Sequence, residues 1–122
     1  MPNKTPNSSE LGRAGEGQAA AVLESAGMQI IDKNYRSKTG EIDIIALDGE
    51  TIVFVEVKTW SSYDMEDLQF SLDLRKQHKI IKTAKYFLLK NRKYNNMTIR
   101  FDVIFIKNNQ ISHLASAFTE SV

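Results

Sequence analysis

Three charged side chains stand inside two runs that are otherwise apolar. Asp43 lies within Ile42-Asp43-Ile44-Ile45, and Glu56 and Lys58 lie within Phe54-Val55-Glu56-Val57-Lys58. Side chains of a strand alternate between its two faces, so Phe54, Glu56 and Lys58 share one face, as do Glu41, Asp43, Ile45 and Leu47 in the earlier run. Asp48-Gly49 between the runs is a strong hairpin signal and makes them neighbours. If the register sets Asp43 beside Glu56, two carboxylates and an ammonium converge at the end of the sheet. Charges next to Ile and Val are costly unless something pairs them. A divalent cation with oxygen ligands suits two close carboxylates; an ordinary ion pair between Glu56 and Lys58 is the competing reading.

A second concentration of charge follows. Between Asp73 and Lys93 lie Arg75, Lys76, Lys79, Lys82, Lys85, Lys90, Arg92 and Lys93, with Asp73 as the sole acid. On a helical wheel Ile80, Ile81, Ala84, Phe87 and Leu88 form the buried face and the basic residues the opposite arc. Such a stripe can track a nucleic-acid backbone by neutralising phosphates, or it can simply be a solvated face. Gln77 falls with the apolar residues, so a buried glutamine in need of partners is expected there. His78 and His113 read as surface residues, Asp102 as a partner for Arg100, and Tyr35, Tyr86 and Tyr94 as packing residues that could also stack on bases.

The elements that must position these groups are legible in outline. Leu11 to Ala26 has a helical pattern, with Leu11, Ala14, Ala19, Val22, Leu23 and Ala26 on one arc and Gly27 as the stop. Met28 to Tyr35 is extended, and Ser37-Lys38-Thr39-Gly40 is a turn. Glu41 to Leu47 and Thr51 to Thr59 are the clearest strands, the second with the composition of a central strand buried on both faces. Trp60 to Asp67 is an acidic loop, and Leu72 to about Lys90 a helix. Ile99 to Lys107 and Gln110 to Leu114 are strands joined by Asn108-Asn109. The order α-β-β-β-α-β-β gives an α/β domain with a mixed sheet flanked by helices. Residues 1–9 hold both prolines and read as a disordered tail, leaving residues 10–119 as one domain.

Composition removes several classes of function. The 122 residues are 42% hydrophobic and 25% charged, a globular balance for one domain. With no cysteine, disulfide scaffolds, thiolate zinc sites and cysteine nucleophiles are excluded. No run approaches the roughly 20 apolar residues of a membrane span, and the polar N-terminus lacks a signal-peptide core, so a cytoplasmic protein is expected.

Gly40-Glu41-Ile42-Asp43 followed by Phe54-Val55-Glu56-Val57-Lys58 resembles the core of the PD-(D/E)xK, restriction-endonuclease-like superfamily. More narrowly, the span from about Leu11 to Phe118 resembles the YraN family of small bacterial proteins. The resemblance is carried by Gly15-Glu16, Asn34-Tyr35-Arg36, the two segments just quoted, Lys76-Gln77-His78-Lys79, Arg100-Phe101-Asp102-Val103 and Ala117-Phe118. Ile42 replaces the proline of the superfamily's name, and Trp60 stands where a basic residue often follows the lysine.

The resemblance implies a restriction-endonuclease-like fold and a Mg²⁺ site, with Mn²⁺ as a substitute. Asp43 and Glu56 would be the metal carboxylates, the Val57 carbonyl a further ligand, and Glu16 an outer or second metal ligand. Lys58 would orient the attacking water or stabilise charge on the phosphate. Glu41 and Gln77 would support the site, and the basic arc read from the wheel, Arg75, Lys76, Lys79, Lys82 and Lys85, is expected independently to face the nucleic acid. The expected activity is phosphodiester hydrolysis on DNA, and analogy with resolvases extends it to branched DNA. A homodimer would suit a cut in two strands. The rival expectation is a nucleic-acid-binding or scaffold protein of the same fold with little or no turnover.

Overall fold

The computed structural model describes residues 8–60 and 73–119, with side chains described from residue 14 onward apart from that of Trp60. The chain order is α1 (Ser8–Ser25), β1 (Gln29–Ser37), β2 (Gly40–Asp48), β3 (Thr51–Trp60), α2 (Leu74–Lys90), a single 3₁₀ turn (Arg92–Tyr94), β4 (Thr98–Lys107) and β5 (Gln110–Phe118). This is a mixed α/β architecture: the expected element order is present, with helices against a five-stranded sheet. The acidic loop read at 60–67 falls, beyond Trp60, outside the described residues, as does most of the expected tail. Ser8 and Ser9, assigned above to that tail, instead open α1.

The strands run in sequence order, β1-β2-β3-β4-β5. Every neighbouring pair is antiparallel except β3 and β4, which are parallel and therefore need the crossover that α2 supplies. β3 is thus the middle strand, and its Ile52, Val53, Phe54 and Val55 are all buried, as an almost continuous apolar run requires. The Asp48-Gly49 turn joins β2 to β3 with Gly49 at φ 61°, a left-handed conformation that glycine adopts without strain.

Two cores lie on the two faces of this sheet. One gathers Ile45, Phe54, Phe101 and Val103 beneath Ile80, Ile81, Ala84, Phe87 and Leu88 of α2, the buried helix face read from the wheel. The other packs Ala19, Ala20 and Leu23 of α1 on Ile44, Ala46, Val53, Val55 and Ile104. Here the structure corrects the expected arc: Ala14 and Ala26 are exposed, while Gly15 and Ala20 are buried. The reason is close approach. A Cβ on Gly15 would run into the Thr59 hydroxyl, so glycine and alanine, rather than the broader apolar arc, decide which face meets β3.

α2 is seated on the other face by a chain of hydroxyls. Thr83 is fully buried and its hydroxyl donates to the Lys79 carbonyl at 2.8 Å. That uses its only proton, so the Thr39 hydroxyl, 2.8 Å away, must donate to Thr83, and Ser37 in turn donates to Thr39 at 2.7 Å. The turn between β1 and β2 is thereby tied to the middle of α2. Asp73 caps the helix, its carboxylate accepting the Lys76 amide at 3.0 Å. The helix starts at Leu74, two residues later than expected, because this cap fixes its first turn. β1 and β5 both extend past their expected ends, to Ser37 and Phe118, through pairing with β2 and β4.

Candidate functional site

The pairing of β2 with β3 ends at Ile44 and Val55, whereas β3 stays paired with β4 as far as Trp60 and Lys107. β2 meanwhile continues alongside β1, with Ile42 opposite Tyr35 and Glu41 opposite Arg36. The sheet therefore forks between β2 and β3, and Asp43 is the first residue past the fork on the β2 side. Its carboxylate fills the gap. The Val57 N–H donates to Asp43 Oδ2 at 2.7 Å, across a stretch with no ladder pairing between the two strands.

Glu56 lies next to that bond and comes within hydrogen-bonding reach of the Asp43 carboxyl group. Lys58 closes the set, with its Nζ 3.2 Å from Glu56 Oε1 and the two side chains only 14% and 16% exposed. Glu16, half-buried on α1 beside Gly15, adds its charge to the field at Asp43. The small-residue contact of α1 with β3 brings it there.

The electrostatics are those of a crowded acid pair. Burial, the neighbouring Glu56 carboxylate and the more distant Glu16 push Asp43 up to about 8, and the single bond from the Val57 amide only partly opposes them. Burial pulls Lys58 down, but Glu56, together with contact with Lys76 and the charge of Asp43, holds it above the usual lysine range. Lys76 moves the other way: contact with Lys58 lowers it, and burial adds to the effect.

The structure thus brings together Asp43, Glu56, Lys58 and the Val57 backbone, with Glu16 near enough to be felt. It also brings in Lys76, which the wheel grouped with the basic arc. Glu41 pairs with Arg36 at 3.2 Å and its side chain is 55% exposed. Gln77 is half-buried, one turn before the buried Ile80 and Ile81. Arg75, Lys79, Lys82 and Lys85 are exposed along α2, as the stripe requires. Among the described residues, no group of three or more histidine or acid side chains is gathered tightly enough to hold a metal as it stands.

The aromatic and histidine readings divide, with Tyr35 and Tyr94 in packing contacts and Tyr86 exposed on α2. Tyr35 meets Phe87 edge-on at 5.0 Å, and Tyr94 stacks on the same ring at 6.0 Å. His78 is exposed, while His113 Nε2 lies 2.7 Å from the Asp102 carboxylate.

Residues 15–106 match the uncharacterised protein family UPF0102. The chain belongs to that family. A UPF0102 protein of Treponema denticola is 47% identical over 122 residues, covering 88% of this chain and 94% of its own. One from Persephonella marina is 46% identical over 107 residues, covering 88% and 91%. Another, from Clostridioides difficile, is 44% identical over 114 residues, covering 92% and 99%. The match begins at Gly15, so it includes the glycine that lets α1 approach β3 and the adjacent Glu16. Among the described residues, no helix is long and apolar enough to cross a membrane.

Proposed function

We propose that this UPF0102 protein has a restriction-endonuclease-like fold and hydrolyses DNA phosphodiester bonds at a Mg²⁺-dependent site, branched DNA being the favoured substrate. One observation carries the reading: Asp43 and Glu56 come together at the sheet fork, and among the described residues the donors to the pair are too few to satisfy both in ionised form. Acids needed only for stability would each be expected to have a cation, and among the described residues Glu56 is in a salt bridge, with Lys58, while Asp43 is in none.

The donor set fits a hard divalent cation. Asp43 and Glu56 supply carboxylate oxygens, the Val57 carbonyl is the further oxygen implied by the family resemblance, and Glu16 adds negative charge from the α1 side. Such an ion supplies polarisation of a phosphate oxygen and a lowered pKa for water. The chain's own groups do the rest. At neutral pH the Asp43 carboxyl holds a proton when no cation opposes it. Glu56 fixes the Lys58 ammonium, and Lys58 is thereby preorganised to meet charge that develops on a phosphate. The basic residues Arg75, Lys79, Lys82 and Lys85 extend this positive field along α2, where a polynucleotide backbone can follow it.

The test is a screen of single-stranded, duplex, flap and four-way-junction substrates with Mg²⁺ or Mn²⁺. Cleavage by the parent protein is expected, with preference for the branched forms, and the Glu56→Ala variant should lose it. Retention of these substrates without cleavage under any condition would replace this reading with a nucleic-acid-binding or scaffold role.

A further inference from the structure

We propose that the cavity between α2 and the strands β4 and β5 receives one unpaired base of a bound nucleic-acid strand. The inference deepens the nuclease reading and rests on it for the strand that carries the base. The cavity measures about 230 Å³, and Ile81 and Leu88 of α2 line it together with Phe101 of β4 and Phe118 of β5. The two phenylalanines belong to a row of stacked rings. Phe54 on β3 stacks on Phe101 at 5.7 Å and Phe101 on Phe118 at 5.0 Å, with interplanar angles of 28° and 15°. β5 is the edge of the sheet, so the row ends at Phe118, and among the described residues no further ring stacks on it. A flat apolar group continues such a row, and the face of a nucleobase is one.

Charge and position select the base among flat groups. Lys85 also lines the cavity, and it belongs to the exposed stripe that includes Lys79 and Lys82. Arg100 lines it too, but its guanidinium is bound by Asp48 and Asp102, so the stripe meets the cavity at Lys85. An apolar wall with a cation at its rim suits a ligand with an apolar face and an attached anion, as a nucleotide has. The cavity and the fork lie on one side of the sheet. Phe54 packs beneath Phe87 of α2, and Glu56 and Lys58 share its face of β3. Phe118 lies two strands from β3, about 10 Å across the sheet. A backbone with one phosphate at the fork can therefore follow α2 and set a neighbouring base against Phe118. In a duplex that base must first leave its stack, so a base already unpaired, as at a flap or branch, enters most readily.

The test uses the full chain without metal and two five-nucleotide thymidylate strands, one with 2-aminopurine at its centre and one with an abasic centre. Binding should quench the 2-aminopurine emission, and the abasic strand should bind about tenfold more weakly. Phe118→Leu removes the terminal ring and keeps an apolar side chain, while Ile99→Asn alters a lining residue that is 42% exposed. Each variant should bind the 2-aminopurine strand nearly as weakly as the abasic one. Affinity for the abasic strand should stay at the parent's value, which also shows that the variant is folded. Where Phe118→Leu fails that check, Ile99→Asn decides. Equal binding of the two strands by the parent, binding of neither, or a preference that survives both variants would overturn the base site. Cleavage of any substrate by the parent alongside such a result would leave the nuclease reading standing. Base-dependent binding without cleavage of any substrate would do the reverse.

Discussion

The molecule holds two aspartates that are drawn into the sheet and surrounded by charge, and they are treated in opposite ways. Asp102 on β4 is 0% exposed and accepts four hydrogen bonds: Arg100 Nε at 2.9 Å, Arg100 Nη2 at 3.0 Å, His113 Nε2 at 2.7 Å and the Ser116 amide at 3.0 Å. Burial pushes its carboxyl up, but Arg100, His113 and Ser116 outweigh burial and hold it below the ordinary range. Arg100 is shared with Asp48 at 3.0 Å, which binds the end of β2 to β4 and β5. Among the described residues, Asp43 at the fork has one amide donor and the acids Glu56 and Glu16 for company, the nearby Lys58 being paired with Glu56, and its carboxyl is pushed up to about 8. The charge at Asp102 is neutralised by the fold itself. The charge at Asp43 is left for something else to neutralise, and that contrast, rather than burial or acidity alone, separates a structural acid from a candidate ligand.

Replacing each aspartate with asparagine is the strongest attempt to break this contrast. Asp102→Asn leaves Arg100 and His113 facing a neutral amide in a buried place, so a loss of about 3–5 kcal/mol is expected, read as an earlier midpoint in denaturant unfolding. Asp43→Asn removes a repulsion instead, and the metal-free variant at pH 8 should be at least as stable as the parent. Comparable losses in both variants would make the fork acid structural and remove the basis of the metal site.

The sequence disclosed the two clusters unevenly. Alternation along two apolar strands, with Asp48-Gly49 between them, was enough to put Asp43 and Glu56 side by side, because a tight hairpin leaves little freedom of register. The fork itself was hidden. Nothing in Ile42-Asp43-Ile44 marks where ladder pairing stops, since that depends on β2 following β1 while β3 follows β4. Lys76 was hidden for a related reason. A helical wheel gives the angle of a side chain about its own axis but not what lies beneath the first turn. Asp102 was readable only as far as Arg100, two residues away on the same strand. His113 reaches it, and Asp48 reaches Arg100, through pairings distant in sequence.

The pH dependence of stability sharpens the contrast, because the two aspartates act with opposite sign. Asp43 is raised, from the ordinary aspartate value of about 4 to about 8. Its contribution is complete at low pH and is lost as pH rises between those values, with a limiting slope of about 1.4 kcal/mol per pH unit for one proton. Asp102 is depressed, so its contribution is present above the ordinary carboxylate range and is lost on the acid side. Unfolding free energies of the metal-free protein from pH 3 to 9 should show Asp43→Asn flattening the decline above about pH 4. Asp102→Asn should leave that decline in place and alter the acid limb. Mg²⁺ competes with the Asp43 proton, so the rise in melting temperature on adding it should be greater at pH 8.5 than at pH 5, and nearly absent in Asp43→Asn. A Mg²⁺ effect independent of pH would place the ion elsewhere.

The smallest effect is expected at Glu41, two residues from Asp43 on the same strand. A cross-strand pair with Arg36 at 3.2 Å, with side chains 77% and 55% exposed, is an interaction between solvated groups. Exposed pairs of this kind contribute about 0–1 kcal/mol because water and salt screen them and two long side chains must be held in place. Glu41→Gln should therefore change the unfolding midpoint by little, and that little should vanish in high salt. Its value lies in the second readout. If Glu41 belongs only to the β1–β2 surface, the Mg²⁺-dependent stabilisation and its pH profile should match those of the parent. If the variant instead loses part of that stabilisation, the acid field of the site extends from the fork along β2 to Gly40, and the separation drawn between a satisfied surface pair and an unsatisfied fork pair would have to move two residues.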